Sequence, residues 1–174
     1  MKTTKKITLS AMATALGVVI MLLGSVIEAL DLTVCAMASL LVVFVYLEIG
    51  SYYPWLVWVC TTLTTALVYS ASLVWVEYFL IFGIFPLIKA YIEKLPKWSW
   101  LIVKLIYINV MIWAIFAVCE LLLGIPFFDA EGAMMKVVLY VMINVAFVAY
   151  DFFITVMVRF YYDKLRPRFK SLLK

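Results

Sequence analysis

Six apolar runs, each 18 residues or longer, take up nearly all of this 174-residue chain. One spanning helix needs about 20 predominantly apolar residues. Runs of this length, closely spaced, leave little room for a soluble domain. Transmembrane barrels instead alternate apolar and polar residues in segments of about ten, a pattern these continuous runs lack. Composition agrees: hydrophobic residues make up 68% and charged residues 14%, with a mean hydropathy of +1.16, against roughly half and a quarter in soluble domains. A disordered chain, a collagen-like repeat and an ordinary soluble enzyme are excluded. The expected fold is an all-α integral membrane protein, a single domain of six transmembrane helices.

The expected helices cover approximately 7–30, 32–49, 53–70, 73–92, 98–125 and 133–162, with a basic tail over 163–174. The first run follows Lys2, Lys5 and Lys6; it exceeds a signal-peptide core in length, so it reads as a retained helix. Leu32-Thr33-Val34-Cys35 has the outline of a lipoprotein cleavage box, but Val34 stands where a small residue is required. Glu48 and Gly50 close the second run, and Pro54 suits the first turn of the third. Ser70-Ala71-Ser72 is a weak break. Gly83 and Pro86 lie inside the fourth run, where proline removes a backbone bond and predicts a kink. Glu93–Lys97 and Pro126–Gly132 read as polar loops.

Charge sets the expected orientation. With six spans and a cytoplasmic N-terminus, the inner side receives three basic clusters. These are Lys2, Lys5 and Lys6; Lys89, Lys94, Lys97 and Lys104; and Arg159, Lys164, Arg166, Arg168, Lys170 and Lys174. Of the fourteen basic residues only Lys136 falls outside, as the positive-inside rule requires. An odd number of helices before residue 89 would split these clusters between the two sides. Both termini are therefore expected in the cytoplasm. Glu28, Asp31, Glu120, Asp129 and Glu131 collect on the outer side.

Residues for bond chemistry are scarce. The chain has no histidine, the commonest metal ligand and most versatile general base. Cys35, Cys60 and Cys119 are far apart in apolar runs, which predicts buried free thiols rather than a zinc or redox pair. No P-loop sequence is present, so any ATP that drives this protein is hydrolysed by another chain. No catalytic residue, metal or cofactor is expected. Five tryptophans, Trp55, Trp58, Trp75, Trp98 and Trp100, lie near helix ends and fit an interfacial belt. The basic tail suits anionic lipid without nucleic acid.

Polar groups within a span are costly and usually face a bundle interior or a cavity. Asn109, Trp113, Phe116 and Glu120 recur at helical spacing on the fifth run; Tyr140, Asn144, Phe147 and Asp151 repeat that spacing on the sixth. Asn109 and Asn144 fall at similar depth. Asn109, Trp113, Glu120, Tyr140 and Asn144 are thus candidate substrate-binding residues for a flat, polar, ring-containing ligand. The alternative for the same residues is hydrogen bonding between helices. Asp151 falls on the inner half, with Lys104 at comparable depth. Lys104 lies off the stripe and is expected to snorkel to the headgroups rather than pair with Asp151. Glu77, beside Trp75 and Tyr78, is expected near the outer interface.

The first helix opens Leu9-Ser10-Ala11-Met12-Ala13-Thr14-Ala15-Leu16-Gly17. Ala11 and Ala15 share a face, and small residues at this spacing let another helix approach closely; packing within the chain's own bundle is the other reading. A basic N-terminus running into this segment resembles the first helix of the substrate-binding S components of energy-coupling factor transporters. Leu41–Gly50 and Phe82–Lys89 are similar to segments of uncharacterised members, and the size and six expected helices also correspond. The resemblance implies a non-catalytic subunit of an ATP-driven vitamin-like importer in a bacterial plasma membrane. It would bind a small molecule near the outer face, with a transmembrane coupling protein and ATPase subunits as partners, membrane lipids around it and no nucleic acid. It further implies that Ala11 and Ala15 face the coupling protein. The alternative is an intramembrane structural or cell-envelope scaffold. An intramembrane lipid enzyme would need paired carboxylates, a serine–lysine arrangement or a metal cluster, and none stands out.

Overall fold

The computed structural model describes residues 3–26, 30–70, 72, 74–123 and 133–169. Among them every regular element is helical: α1 (Thr3–Val26), α2 (Asp31–Glu48), α3 (Tyr53–Val68), α4 (Val74–Glu77), α5 (Phe85–Ile92), α6 (Trp100–Leu123), α7 (Ala133–Phe160) and α8 (Arg166–Phe169), with a short 3-10 turn at Lys97–Ser99 and two π-helical turns. Five helical stretches are long and apolar enough to cross a membrane: Thr3–Gly24, Asp31–Glu48, Val74–Ile92, Trp100–Val118 and Val137–Leu165. The remaining apolar helix, Tyr53–Val68, has 16 residues and is shorter than the expected span over 53–70. The expected loop at Pro126–Gly132 and the tail end, 170–174, lie outside the described residues, as do Glu28, Asp129 and Glu131.

The described residues fall into two compact units, one drawn from 1–88 and 153–174, the other from 89–152. In the first unit α1, α2 and α3 pack on one another around Ala13, Met21, Cys35, Val42, Val57 and Trp58. Close approach depends on glycine at two places. A Cβ on Gly24 would stand 2.8 Å from Val34 Cγ1, and one on Gly83 would stand 2.4 Å from Trp58 Cδ1. The α2–α3 connection turns through Gly50 and Ser51, at φ of 62° and 58°. The Gly50 N–H donates back to the Val45 carbonyl at 3.1 Å, a left-handed helix ending of the kind glycine supplies.

The expected kink in the fourth run takes a specific form. Tyr78–Phe82 is a π-helical turn, in which the Gly83 N–H donates to the Tyr78 carbonyl at 2.7 Å instead of to Phe79. The Phe79 carbonyl accepts from the Trp58 indole at 3.2 Å, and the two rings stack with centroids 4.9 Å apart. The helix breaks at Gly83–Ile84. Pro86 then falls in the first turn of α5, where its missing N–H has no helical partner to lose. Trp58 is therefore a buried packing residue, not part of an interfacial belt.

Two further expectations are corrected. The region from Asp163 is not simply a tail: a π-helical turn, Tyr161–Leu165, and α8 carry helix as far as Phe169. Buried Tyr161 anchors it, donating to Glu48 Oε1 at 2.6 Å and meeting Phe44 edge-on at 5.8 Å. Arg166 Nε lies 3.5 Å from the same Glu48 oxygen. Cys35 is buried as expected, but Cys60 is exposed. In a chain whose outer surface is itself apolar, an apolar run does not tell which side of a helix turns inward.

Candidate functional site

The most developed polar site lies within the second unit, where α5, α6 and α7 each contribute charge. Lys89 and Glu93, four residues apart, share one face of α5's end. Lys104 sits one turn into α6, and Asp151 comes from α7. The four form a closed ring of alternating sign. Lys89 Nζ lies 2.5 Å from Asp151 Oδ1 and 3.5 Å from Glu93 Oε1. Lys104 Nζ lies 2.8 Å from Asp151 Oδ2 and 3.4 Å from Glu93 Oε1. Lys89 also donates to the Asp151 main-chain carbonyl at 2.7 Å. Lys104 engages both Asp151 oxygens, the second at 2.9 Å, with its ammonium 5.9 Å from the Trp100 ring centroid.

The lysines are only 5% and 7% exposed. Buried charges persist when they are paired and hydrogen-bonded, and Asp151 does this for both. The expectation that Lys104 snorkels away is corrected: although Lys104 lies off the Asn109 stripe of α6, its ammonium pairs with Asp151 of α7. Lys89 and Glu93 were not singled out from sequence as a site. The available signal was a lysine within an apolar run followed by a carboxylate at helical spacing.

The structure divides the residues proposed for ligand binding. Asn109, Tyr140 and Asn144 come together between α6 and α7. The Tyr140 hydroxyl donates to Asn109 Oδ1. Asn109 Nδ2 donates to the Leu105 carbonyl at 2.7 Å and to Asn144 Oδ1 at 3.4 Å. Asn144 Nδ2 donates to the Tyr140 carbonyl at 2.9 Å. These groups thus bond to one another and to their own helices. Trp113 is 60% exposed and meets Phe116 edge-on; Glu120 is exposed. The hydrogen bonds of the Asn109–Tyr140–Asn144 ladder run among these three residues and their own helices. Beside the ladder, Leu105, Tyr140, Val141, Asn144, Val145 and Val148 line an open, mainly apolar groove of about 380 Å³.

On α1, Ala11 and Ala15 are exposed, together with Met12, Leu16 and Val19. Ala13 and Gly17 turn the other way into the first unit. Glu77 is half-buried in α4. Among the described residues, no group of three or more histidine, cysteine, aspartate or glutamate side chains is placed to hold a metal.

No family model, curated protein or solved structure matches the chain.

Proposed function

We propose that this chain is the membrane-embedded substrate-binding subunit of an ATP-driven importer of a small, vitamin-like molecule. In this reading it performs no bond chemistry and docks on a separate transmembrane coupling protein that carries the ATPases. The observation that carries the proposal is the two-sidedness of α1. One face, with Ala13 and Gly17, packs inward, and Ala11 and Ala15 on the other are left uncovered. Small residues at that spacing fit close approach by a partner helix. Six spans with both termini in the cytoplasm belong to the same reading, supported by the segregation of thirteen of the fourteen basic residues. The 16-residue α3 would be the sixth span, short for a bilayer and accommodated by local thinning or by flanking residues.

The groove on α6 and α7 is the proposed ligand surface, with Tyr140 and Asn144 as its polar wall and Asn109 behind them. Trp113 and Glu120 join it only if α6 turns toward the ligand on binding. Mass spectrometry of small molecules retained by the purified protein tests this. A stoichiometric organic guest, lost in Asn144→Ala, is expected; an empty protein would remove the ligand-binding role.

The closed Asn109–Tyr140–Asn144 ladder favours a second reading, an intramembrane scaffold in which these residues hold α6 to α7. That reading expects no guest, and it expects Asn144→Ala to loosen the helix pair.

A further inference from the structure

We propose that the Lys89–Lys104 pair is a binding site for a phosphate group, occupied in this structure by the chain's own Glu93. The inference needs no transport activity, but it takes from the proposed reading the orientation that puts Lys89 and Lys104 toward the inner side of the membrane.

The ring is uneven. Asp151 holds its side tightly, with ammonium-to-oxygen distances of 2.5 to 2.9 Å. The Glu93 side is slack: one oxygen, Oε1, lies 3.4 and 3.5 Å from the two ammonium groups. A charge-assisted N–H···O bond settles at about 2.7–2.9 Å, so Glu93 reaches the position without closing on it. An ammonium has three donors. Lys104 spends two on the Asp151 carboxylate, and its third is directed to Glu93 Oε1. Lys89 is fixed by both the carboxylate and the carbonyl of Asp151. The two cations are therefore held in place by Asp151 and bracket a single oxygen position.

Charge and access complete the case. Without Glu93 the remaining three groups carry a net single positive charge, which suits one monoanion. The Glu93 side chain is 35% exposed, against 6% and 8% for the two lysines, so this carboxylate is the member able to leave. It also stands directly after α5, as the first residue of the polar segment Glu93–Lys97. Lys104 is four residues into α6, about 6 Å along its axis. On the orientation proposed above, this end of α6 lies on the inner side of the membrane, the side that carries anionic lipid. A phosphate oxygen entering as Glu93 swings out would gain both ammonium groups at full hydrogen-bonding distance. The phosphate could be that of an anionic lipid or a soluble one, and the two sources are separable.

Glu93→Gln removes the competing charge and keeps the size. The purified protein in nanodiscs of phosphatidylcholine would be titrated with inorganic phosphate, and in parallel with increasing phosphatidylglycerol. Native mass spectrometry after release would count bound lipid. Glu93→Gln is expected to bind at least tenfold more tightly than wild type in one of the two arms, and Glu93→Gln/Lys104→Gln is expected to lose that gain. Gain in the lipid arm alone assigns a headgroup, and gain with inorganic phosphate assigns a soluble anion. Folded Glu93→Gln with wild-type affinity in both arms overturns the proposal. Loss of helical circular dichroism in Glu93→Gln also overturns it, because Glu93 would then be a structural member of the ring rather than its occupant.

Discussion

Asp151→Asn is the sharpest perturbation of the charged ring. The substitution keeps the side-chain size and removes the carboxylate that stands within 2.9 Å of both lysines. Lys89 and Lys104, 5% and 7% exposed, then keep Glu93 as a shared carboxylate, with its oxygen 3.4–3.5 Å away. Removing one partner of a buried pair costs roughly 3–5 kcal/mol, because the other charge stays desolvated. Asp151 is 22% exposed at its side chain, which places the expected loss near the lower end, about 3 kcal/mol. That is a large share of the ~5–15 kcal/mol that ordinarily separates folded from unfolded protein. Reversible unfolding in mixed micelles, followed by helical circular dichroism, would measure it. Glu93→Gln is the internal control, with an expected loss below about 1 kcal/mol for a more exposed, longer contact. Asp151→Asn/Lys104→Met should recover part of the loss, with a coupling of about 1–3 kcal/mol in the double-mutant cycle. Asp151→Asn within about 1 kcal/mol of wild type, or no worse than Glu93→Gln, would refute the reasoning.

Gly83→Ala is expected to destabilise by about 1–3 kcal/mol in the same assay, since the added Cβ would meet Trp58 Cδ1 at 2.4 Å and the Tyr78 carbonyl at 2.9 Å. Gly50→Ala, whose added Cβ would meet the Tyr46 carbonyl only at an ordinary 3.7 Å but whose backbone sits at φ of 62°, should cost only about 1 kcal/mol, the backbone penalty alone. Tyr161→Phe removes the 2.6 Å bond to Glu48 and should cost about 1.5–3 kcal/mol; faster proteolytic trimming at α8 would accompany it. Ala13→Leu, at a position 6% exposed, should destabilise the isolated protein, whereas Ala15→Leu on the uncovered face should leave its unfolding transition unchanged.

Most of the helices were legible in the sequence because a span needs a long apolar stretch, and such stretches stand out against Glu48–Gly50 and Glu93–Lys97. Their inward faces were harder to read. In a soluble protein the outer face is polar, and the periodicity reveals the core; in α3 and α6 both faces are largely apolar, so Cys60 and Trp113 gave no sign that they are exposed. The π-helical turn at Tyr78–Phe82 depends on Trp58, twenty residues upstream, offering its indole to the Phe79 carbonyl, a contact no local pattern encodes. The polar residues were the more informative ones. Asn109, Tyr140 and Asn144 were placed on facing stripes by spacing alone, and the structure brings them together. Asp151 was placed near Lys104 in depth, but the length of a lysine side chain hid the pairing. Lys89 was read as a topology signal and Glu93 as part of a polar loop, and their convergence on the same site follows from how α5 ends.

The importer reading rests on α1, and affinity purification from native membranes tests it most directly. The tagged wild-type chain and an Ala11→Leu/Ala15→Leu variant would be isolated in mild detergent, and their companions identified and assayed for ATP hydrolysis. The account predicts that a transmembrane protein and an ATPase accompany the wild type in fixed stoichiometry. It predicts that both are lost from the variant, whose helical content and unfolding match the wild type. Identical companions in both preparations, or a wild-type preparation without an ATPase, would contradict it.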